Sequence, residues 1–489
     1  MGETSMAGFY LKMQRAGFDP LDCQKILYSS TPDTIHGPMN TPAVRSASDL
    51  DFDAQPALDY IQQTLAIARA VGASAAEVGY GQSAGLSVTV RMGELETLQH
   101  QRDKSLQVTV FDGLRKGSAS TTDMSNAALH KTVEAAYAIA RHGGEDDCAG
   151  LVEREQLARE VPDLDLFHPR ALDPQQAIVI ARECEDAARA DKRITNSEGA
   201  TVRTSAGVSA YGNSNGFAGA WRASAHRMSC AVIANDGSSM QQDYDQSVAR
   251  RWEDLRAAVD IGRHAGERAV RRLGARKIET TTVPVLFDAR IATSLFGHFI
   301  AAISGSNLYR RTSFLLDQLG HAVFPEWVQI REEPFLPREL GSRPFDDDGV
   351  APQPRAIVEN GVLKSYLLGG YSARKLGLRS TGNASGITNW RLSHGAEDQA
   401  ALIKRMRRGL LVTELMGFGV NGVTGDYSRG AGGYWVDGGE IQHPVEEITI
   451  AGNLKDMFKG IVAIGADVDM NATVRTGSIL IDRMTIAGK

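Results

Sequence analysis

Apolar positions change period several times along the chain, and each change marks an element. Leu58, Ile61, Leu65 and Ala68 recur at helical spacing and predict a helix over 57–70. Alternating runs follow at 86–92 (LSVTVRM), 105–111 (SLQVTVF) and 115–121 (RKGSAST), each with the period-two pattern of a strand with one buried face. A second amphipathic helix is predicted from Ser125, a suitable N-cap, to Arg141, with Gly143-Gly144 as its stop. The same style returns as a helix over 174–190, strands at 207–212 (GVSAYG) and 220–234 (AWRASAHRMSCAVIA), and a helix over 248–273 ending at Gly274. Beyond ARKIETTTVP the texture becomes one helix starting near Asp288, then glycine-rich, strand-like sequence to the end.

Helices interleaved with antiparallel strands predict an α+β protein of several domains. The expected organisation is a flexible N-terminal extension over 1–49, polar and broken by prolines, then an N-terminal α+β domain over 50–147. A central α+β domain over 148–277 and a β-rich C-terminal domain over 278–489 complete it. A length of 489 residues agrees with two to four domains. With 42% hydrophobic and 23% charged residues, the composition is that of a soluble globular protein. The net charge of −6 offers no basic footprint for nucleic acid. Cys23, Cys148, Cys184 and Cys230 are scattered, with no CxxC, which suits reduced thiols better than a disulfide framework. No signal-like apolar stretch or membrane-length segment occurs, so a cytoplasmic location is expected.

Candidate chemistry is sparse. GNSNG at 212–216 has the G-x-S-x-G form of a nucleophile elbow, but that motif needs a following helix and another alternating run follows instead. Ser214 therefore reads as a hairpin-turn residue. No two of the eleven histidines have the spacing of zinc ligands on a helix, and His298, between Gly297 and Phe299, reads as a packing residue. Asp346, Asp347 and Asp348 in FDDDG lack EF-hand spacing and read as a turn whose side chains cap local amides. From Gly417 to Gly439, nine of 23 residues are glycine. That stretch is either a set of tight turns in a β-rich domain or a cleft wall that bares backbone to an extended peptide.

The segments SLFGHFIAAISGSNLYRRTSFLLDQLG, PFDDDGV, VENGVLKSYLLGGYSARKLG, STGNASG, GVNGVTGDYSRGAGGYWVDGGEI and VEEITIAGNLKDMF, in this order, resemble the PmbA/TldE subunits of the TldD/PmbA protease family. The earlier α+β regions are also similar, so the resemblance extends over nearly everything after residue 50. In that family the TldD type carries a His-Glu-x-x-x-His helix and a late Cys that bind zinc. Here the corresponding helix has His298 alone, followed by Phe299, and no Cys follows Cys230. The resemblance thus implies a subunit with no metal or other cofactor of its own, paired with a TldD-type catalytic subunit that holds the zinc. A homodimer is the alternative assembly of the isolated chain. The implied substrates are unfolded or modified peptides, with no nucleic acid and no membrane as partners. The glycine-rich stretch is then assigned to structure and cleft lining rather than catalysis, with Asn421, Gly422, Asp426, Tyr427, Arg429, Tyr434 and Trp435 as candidate substrate-cleft residues. Two other readings are a stand-alone interaction protein that modulates DNA gyrase or a related toxin–antitoxin target, and an independent hydrolase with an unrecognised site.

Overall fold

The computed structural model describes residues 52–488, so the extension expected over 1–49 lies outside the described residues. The protein is α+β. Its first part is one six-stranded antiparallel sheet in the order β3-β2-β1-β4-β5-β6, from β1 (Ala75–Arg91), β2 (Glu94–Asp112), β3 (Arg115–Thr121), β4 (Ile194–Asn213), β5 (Ala218–Asn235) and β6 (Met240–Ala249). The period-two pattern explains which face is buried. Val78, Tyr80, Leu86, Val88 and Val90 point to one side of β1, with Val108 of β2 opposite Val78 and Val202 of β4 opposite Val88. Two helix pairs cover that side. Helices α1 (Gln55–Ala70) and α2 (Asn126–His142) cover Val78 and Val108, while α3 (Pro174–Ala188) and α4 (Ala258–Arg271) cover Val88 and Val202. Gly262 of α4 lets that helix approach α3 closely, since a Cβ there would lie 1.8 Å from the Cys184 carbonyl oxygen.

Ser125 caps α2 by accepting from the Ala128 amide, and Asp173 caps α3 with Pro174 in the first turn. The sheet runs across the boundary placed between 147 and 148, because β1 pairs with β4 from Glu77–Asn213 to Val90–Ala200. GNSNG is the β4–β5 turn, where the Ser214 hydroxyl accepts from the Ala76 amide at 3.0 Å. The helix expected over 248–273 starts only at Ala258. Residues to Ala249 belong to β6, paired with β5, and the Val248 amide donates to Asn471. Tertiary pairing overrides local helical pattern there.

The C-terminal part holds two further sheets. The larger contains β7 (Thr281–Phe287), β12 (Gly409–Met416), β13 (Asp426–Asp437), β14 (Glu440–Asn453), β15 (Ile461–Ile464) and β17 (Ile479–Ala487), in the order β14-β13-β12-β7-β17-β15. Pairing of β14 with β17 also closes it on itself. Val285, Phe287, Leu410, Val412 and Ile479 pack with α5 (Ala289–Ile303). Leu286, Leu411, Tyr434 and Leu480 face the other way, onto α8 (Gln399–Met406). The smaller sheet is β10-β9-β8-β11-β16, from β8 (Ile330–Glu332), β9 (Arg355–Glu359), β10 (Val362–Leu363), β11 (Trp390–Leu392) and β16 (Val474–Arg475). Short helices α6 (Gly305–Tyr309), α7 (Gly370–Lys375) and α9 (Leu454–Lys459) complete the fold. Among the described residues no helix is long and apolar enough to cross a membrane.

Two charged junctions hold the parts together. Asp243 of β6 is buried between Arg290 at the start of α5 (3.3 Å) and Arg272 just after α4 (3.7 Å), and Arg272 also pairs with Glu414 of β12. At the second junction, Glu77 of β1 faces the FDDDG turn. Asp346 accepts from the amides of Asp348, Val350 and Ala384, and Asp348 accepts from Gly370. Burial, reinforced by the Asp348 charge, pushes the Glu77 carboxyl up to about 7, against the pull of the Tyr211 hydroxyl that donates to it at 3.0 Å. Burial and Asp348 likewise push Asp346 up to about 7.

Asp243→Ala leaves two largely buried guanidinium groups without that carboxylate and should destabilise the protein by about 3–5 kcal/mol, measured by denaturant unfolding. Glu77 binds its proton more tightly folded than unfolded. Its contribution to stability is therefore full below the ordinary value of 4.5 and is lost as pH rises through about 7. Glu77→Gln should flatten the fall in stability between these values and leave the variant more stable than wild type at alkaline pH by about 1–3 kcal/mol. Thermal unfolding across that range checks it; a Glu77→Gln profile parallel to wild type would contradict the assignment.

Candidate functional site

Helix α5 starts at Asp288, which caps it by accepting from the Arg290 amide at 3.0 Å. Its apolar stripe, including Leu295, Phe296, Phe299 and Ile303, is buried in the core. That burial turns Ser294, His298 and Ala301 toward the flank, where they meet the start of β13 and the loop before it. Between them lies a cavity of about 380 Å³ lined by His298, Asn307, Thr312, Phe418, Gly422 and Arg429, among others. The Tyr427 ring meets His298 edge-on, with centroids 5.9 Å apart. Burial lowers the proton affinity of His298, and the neighbouring Arg429 charge lowers it further, so the imidazole is held neutral. Burial pushes the Tyr427 hydroxyl up to about 12, against the pull of Arg429.

The structure gathers some of the candidate cleft residues and separates others. Gly422 and Arg429 line the cavity, and Tyr427 is buried beside His298. Asn421 is exposed and accepts from the Val423 and Thr424 amides, holding the turn. Asp426, also exposed, accepts from the Thr424 hydroxyl and from Asn453. Tyr434 and Trp435 are not brought to the cavity. They lie five and six residues further along β13, roughly 17–20 Å away for an extended strand. Tyr434 packs in the cluster under α8 with Arg271 over its ring, and Arg408 lies over Trp435. Asn307, Thr312 and Phe418 were not legible in the sequence as site residues. Phe418 carries the clearest signal in retrospect, an aromatic between two glycines, and it is 83% exposed at the cavity.

The residues at this cavity do not fit a zinc ion. A zinc site takes at least three protein ligands from Cys, His, Asp or Glu. The cavity lining offers one imidazole, beside a guanidinium whose charge repels a cation, and no carboxylate. Among the described residues, no group of three or more His, Cys, Asp or Glu is placed to hold a metal ion. A larger cavity of about 690 Å³ lies on the face of the first sheet away from its helices, between Glu77, Tyr211 and Trp221 on one side and Arg343, Asp346 and Asp348 on the other. The carboxylates of Glu77, Asp346 and Asp348 are engaged with the amides and hydroxyl of the junction described above.

Comparison with known proteins finds one family matched in three stretches of the chain. Residues 76–140 match the PmbA/TldA metallopeptidase domain 1, 167–273 the central domain and 280–488 the C-terminal domain. The chain is 46% identical to Metalloprotease PmbA of Escherichia coli O157:H7, over 85% of this chain and 92% of that one. It is 44% identical to the Metalloprotease PmbA homolog of Haemophilus influenzae, over 91% and 99%. A crystal structure from Bacteroides thetaiotaomicron, described as a modulator of DNA gyrase, superposes with a TM-score of 0.84 at 27% identity, over 88% of this chain and 98% of that one. TldE from Thermococcus kodakarensis shares the fold, with a TM-score of 0.77 at 21% identity, over 88% and 100%. With nearly the full length of its relatives matched in sequence and the same three-part fold, the chain belongs to the PmbA/TldD metallopeptidase family, among its PmbA/TldE members.

Proposed function

We propose that this chain is the substrate-holding, non-hydrolytic subunit of a cytoplasmic heterodimeric metallopeptidase acting on unfolded or modified peptides. A TldD-type chain would be its partner and would hold the zinc. One observation carries the reading: the helix that resembles the metal-binding helix of TldD-type chains here presents His298 beside Arg429, with no second ligand and no carboxylate. Hydrolysis then belongs to the partner. The work left to this chain is to bind an extended peptide, orient it and keep water out.

Its residues suit that work. Arg429 and the second amide hydrogen of Asn307 can donate hydrogen bonds to peptide oxygens, and Gly422 keeps side-chain bulk away from the cavity. Exposed Phe418 and Val423 offer apolar contact beside it. Holding the reacting bond in one geometry is itself a large part of catalysis, so a subunit without chemistry of its own can still control the rate.

Elemental analysis tests the division of labour. The chain expressed alone should carry no stoichiometric zinc and no peptidase activity, whereas the complex with a TldD-type chain should have both. His298→Ala should leave the zinc content of that complex unchanged. About one tightly held zinc in the isolated chain would refute the proposal. Arg429→Ala should lower kcat/KM of the assembled complex by roughly tenfold or more, as expected for loss of a charged hydrogen bond, with little change in Tm of this chain alone. A variant that unfolds, yet keeps full activity per folded complex, would reduce Arg429 to scaffold.

A further inference from the structure

We propose that the cavity between α5 and β13 binds the free C-terminal carboxylate of a peptide ending in an apolar residue. This rests on the substrate-holding role above and names the part of the substrate held. Three buried polar atoms on this cavity's lining have no hydrogen-bond partner: Ser294 Oγ, His298 Nε2 and Arg429 Nε. The large majority of buried polar side-chain atoms in folded proteins are paired, so three around one cavity mark a place built for something else. Leaving them unpaired costs stability that a ligand would restore.

The charge selects the ligand. Arg429 pairs with no carboxylate among the described residues, and the cavity lining contains no Asp or Glu. A metal cation is repelled by that arrangement, and a mid-chain peptide bond brings no charge to balance it. A carboxylate does both jobs that the site asks for, because it neutralises a guanidinium and accepts from it through two oxygens. Asn307, whose side-chain nitrogen donates one hydrogen to the Ala301 carbonyl, keeps a second for a ligand.

Shape selects the rest. Phe314, Val420 and Leu454 line the same cavity and give it apolar walls. At about 380 Å³ it lies in the range of small-ligand pockets and has room for a terminal side chain together with its carboxylate. Phe418, exposed at the cavity, is placed to contact the residue before. Small inorganic or organic anions share the carboxylate's charge, and the apolar walls are what would separate a peptide end from them.

Calorimetric titration of the full chain alone tests this without partner or zinc. The probes are an N-acetylated tetrapeptide ending in leucine with a free C-terminus, its C-terminal amide, sodium acetate and inorganic phosphate. The free acid should bind, and the amide should bind roughly 10- to 100-fold more weakly. Arg429→Ala should reduce the acid to the affinity of the amide while leaving the amide itself unchanged, a coupling that general destabilisation would not produce. Equal affinities for acid and amide in the wild-type chain overturn the proposal, as does absence of binding by the acid at millimolar concentration. Acetate or phosphate binding as tightly as the peptide acid overturns the peptide assignment and leaves a general anion site. A chain that bound zinc yet preferred the acid would refute the non-hydrolytic role while upholding this site.

Discussion

Asp288 is the residue on which the geometry of the small cavity depends. It stands where β7 ends and α5 begins. Its amide donates to the Val412 carbonyl of β12 at 2.9 Å, and its carboxylate caps α5 and accepts from Gln399 of α8 at 3.0 Å. The same carboxylate pairs with Arg290, which reaches across to Asp243 in the first sheet. One residue, through its amide and its carboxylate, therefore ties the helix to the closed sheet, to the helix on its far face and to the N-terminal part of the molecule. Ten residues and roughly 15 Å further along α5 sits His298. Its distance from Arg429 follows from that anchoring, because both positions belong to rigid elements rather than to loops.

Charge is distributed unequally over the two cavities, and the difference has physical consequences. At the larger one, Glu77, Asp346 and Asp348 crowd together, and burial with the neighbouring carboxylate charges raises the proton affinity of each. At the smaller one, a guanidinium and a neutral imidazole share a lining without any carboxylate. The first arrangement is satisfied from within, through backbone amides and the Tyr211 hydroxyl. The second is not, and unmet polar groups gathered around one cavity are where function is to be sought. A buried junction like that around Asp243 is weak evidence of added stability, but breaking it is costly, so it specifies how the sheets are joined.

Much of this was legible in the order of residues. Period-two and helical patterns placed α1, α2, α3 and the start of α5 close to their observed bounds, with the Ser125 cap in the expected place, because those signals are local. The family, too, was legible, through long segments such as PFDDDGV and GVNGVTGDYSRGAGGYWVDGGEI, and so was the missing histidine pair on the helix that carries His298.

Pairing between distant segments was a matter for the tertiary structure alone. No local pattern announces that β1 finds β4, or that Asn471 and β5 claim residues 248 and 249 for a strand instead of a helix. Arg429 and Tyr434 belong to one short, glycine-rich stretch, yet an extended strand carries them to different surroundings, one to a cavity and the other beneath α8. Asn307, Thr312 and Phe418 joined the site only through the turns that follow α5 and precede β13. Sequence alone determined that His298 has no second histidine beside it on its helix, since a residue absent from the chain is absent in any fold. Which of the remaining polar groups meet, and which are left buried without partners, depended on contacts between residues far apart in the chain, and these exist only after the sheets have closed.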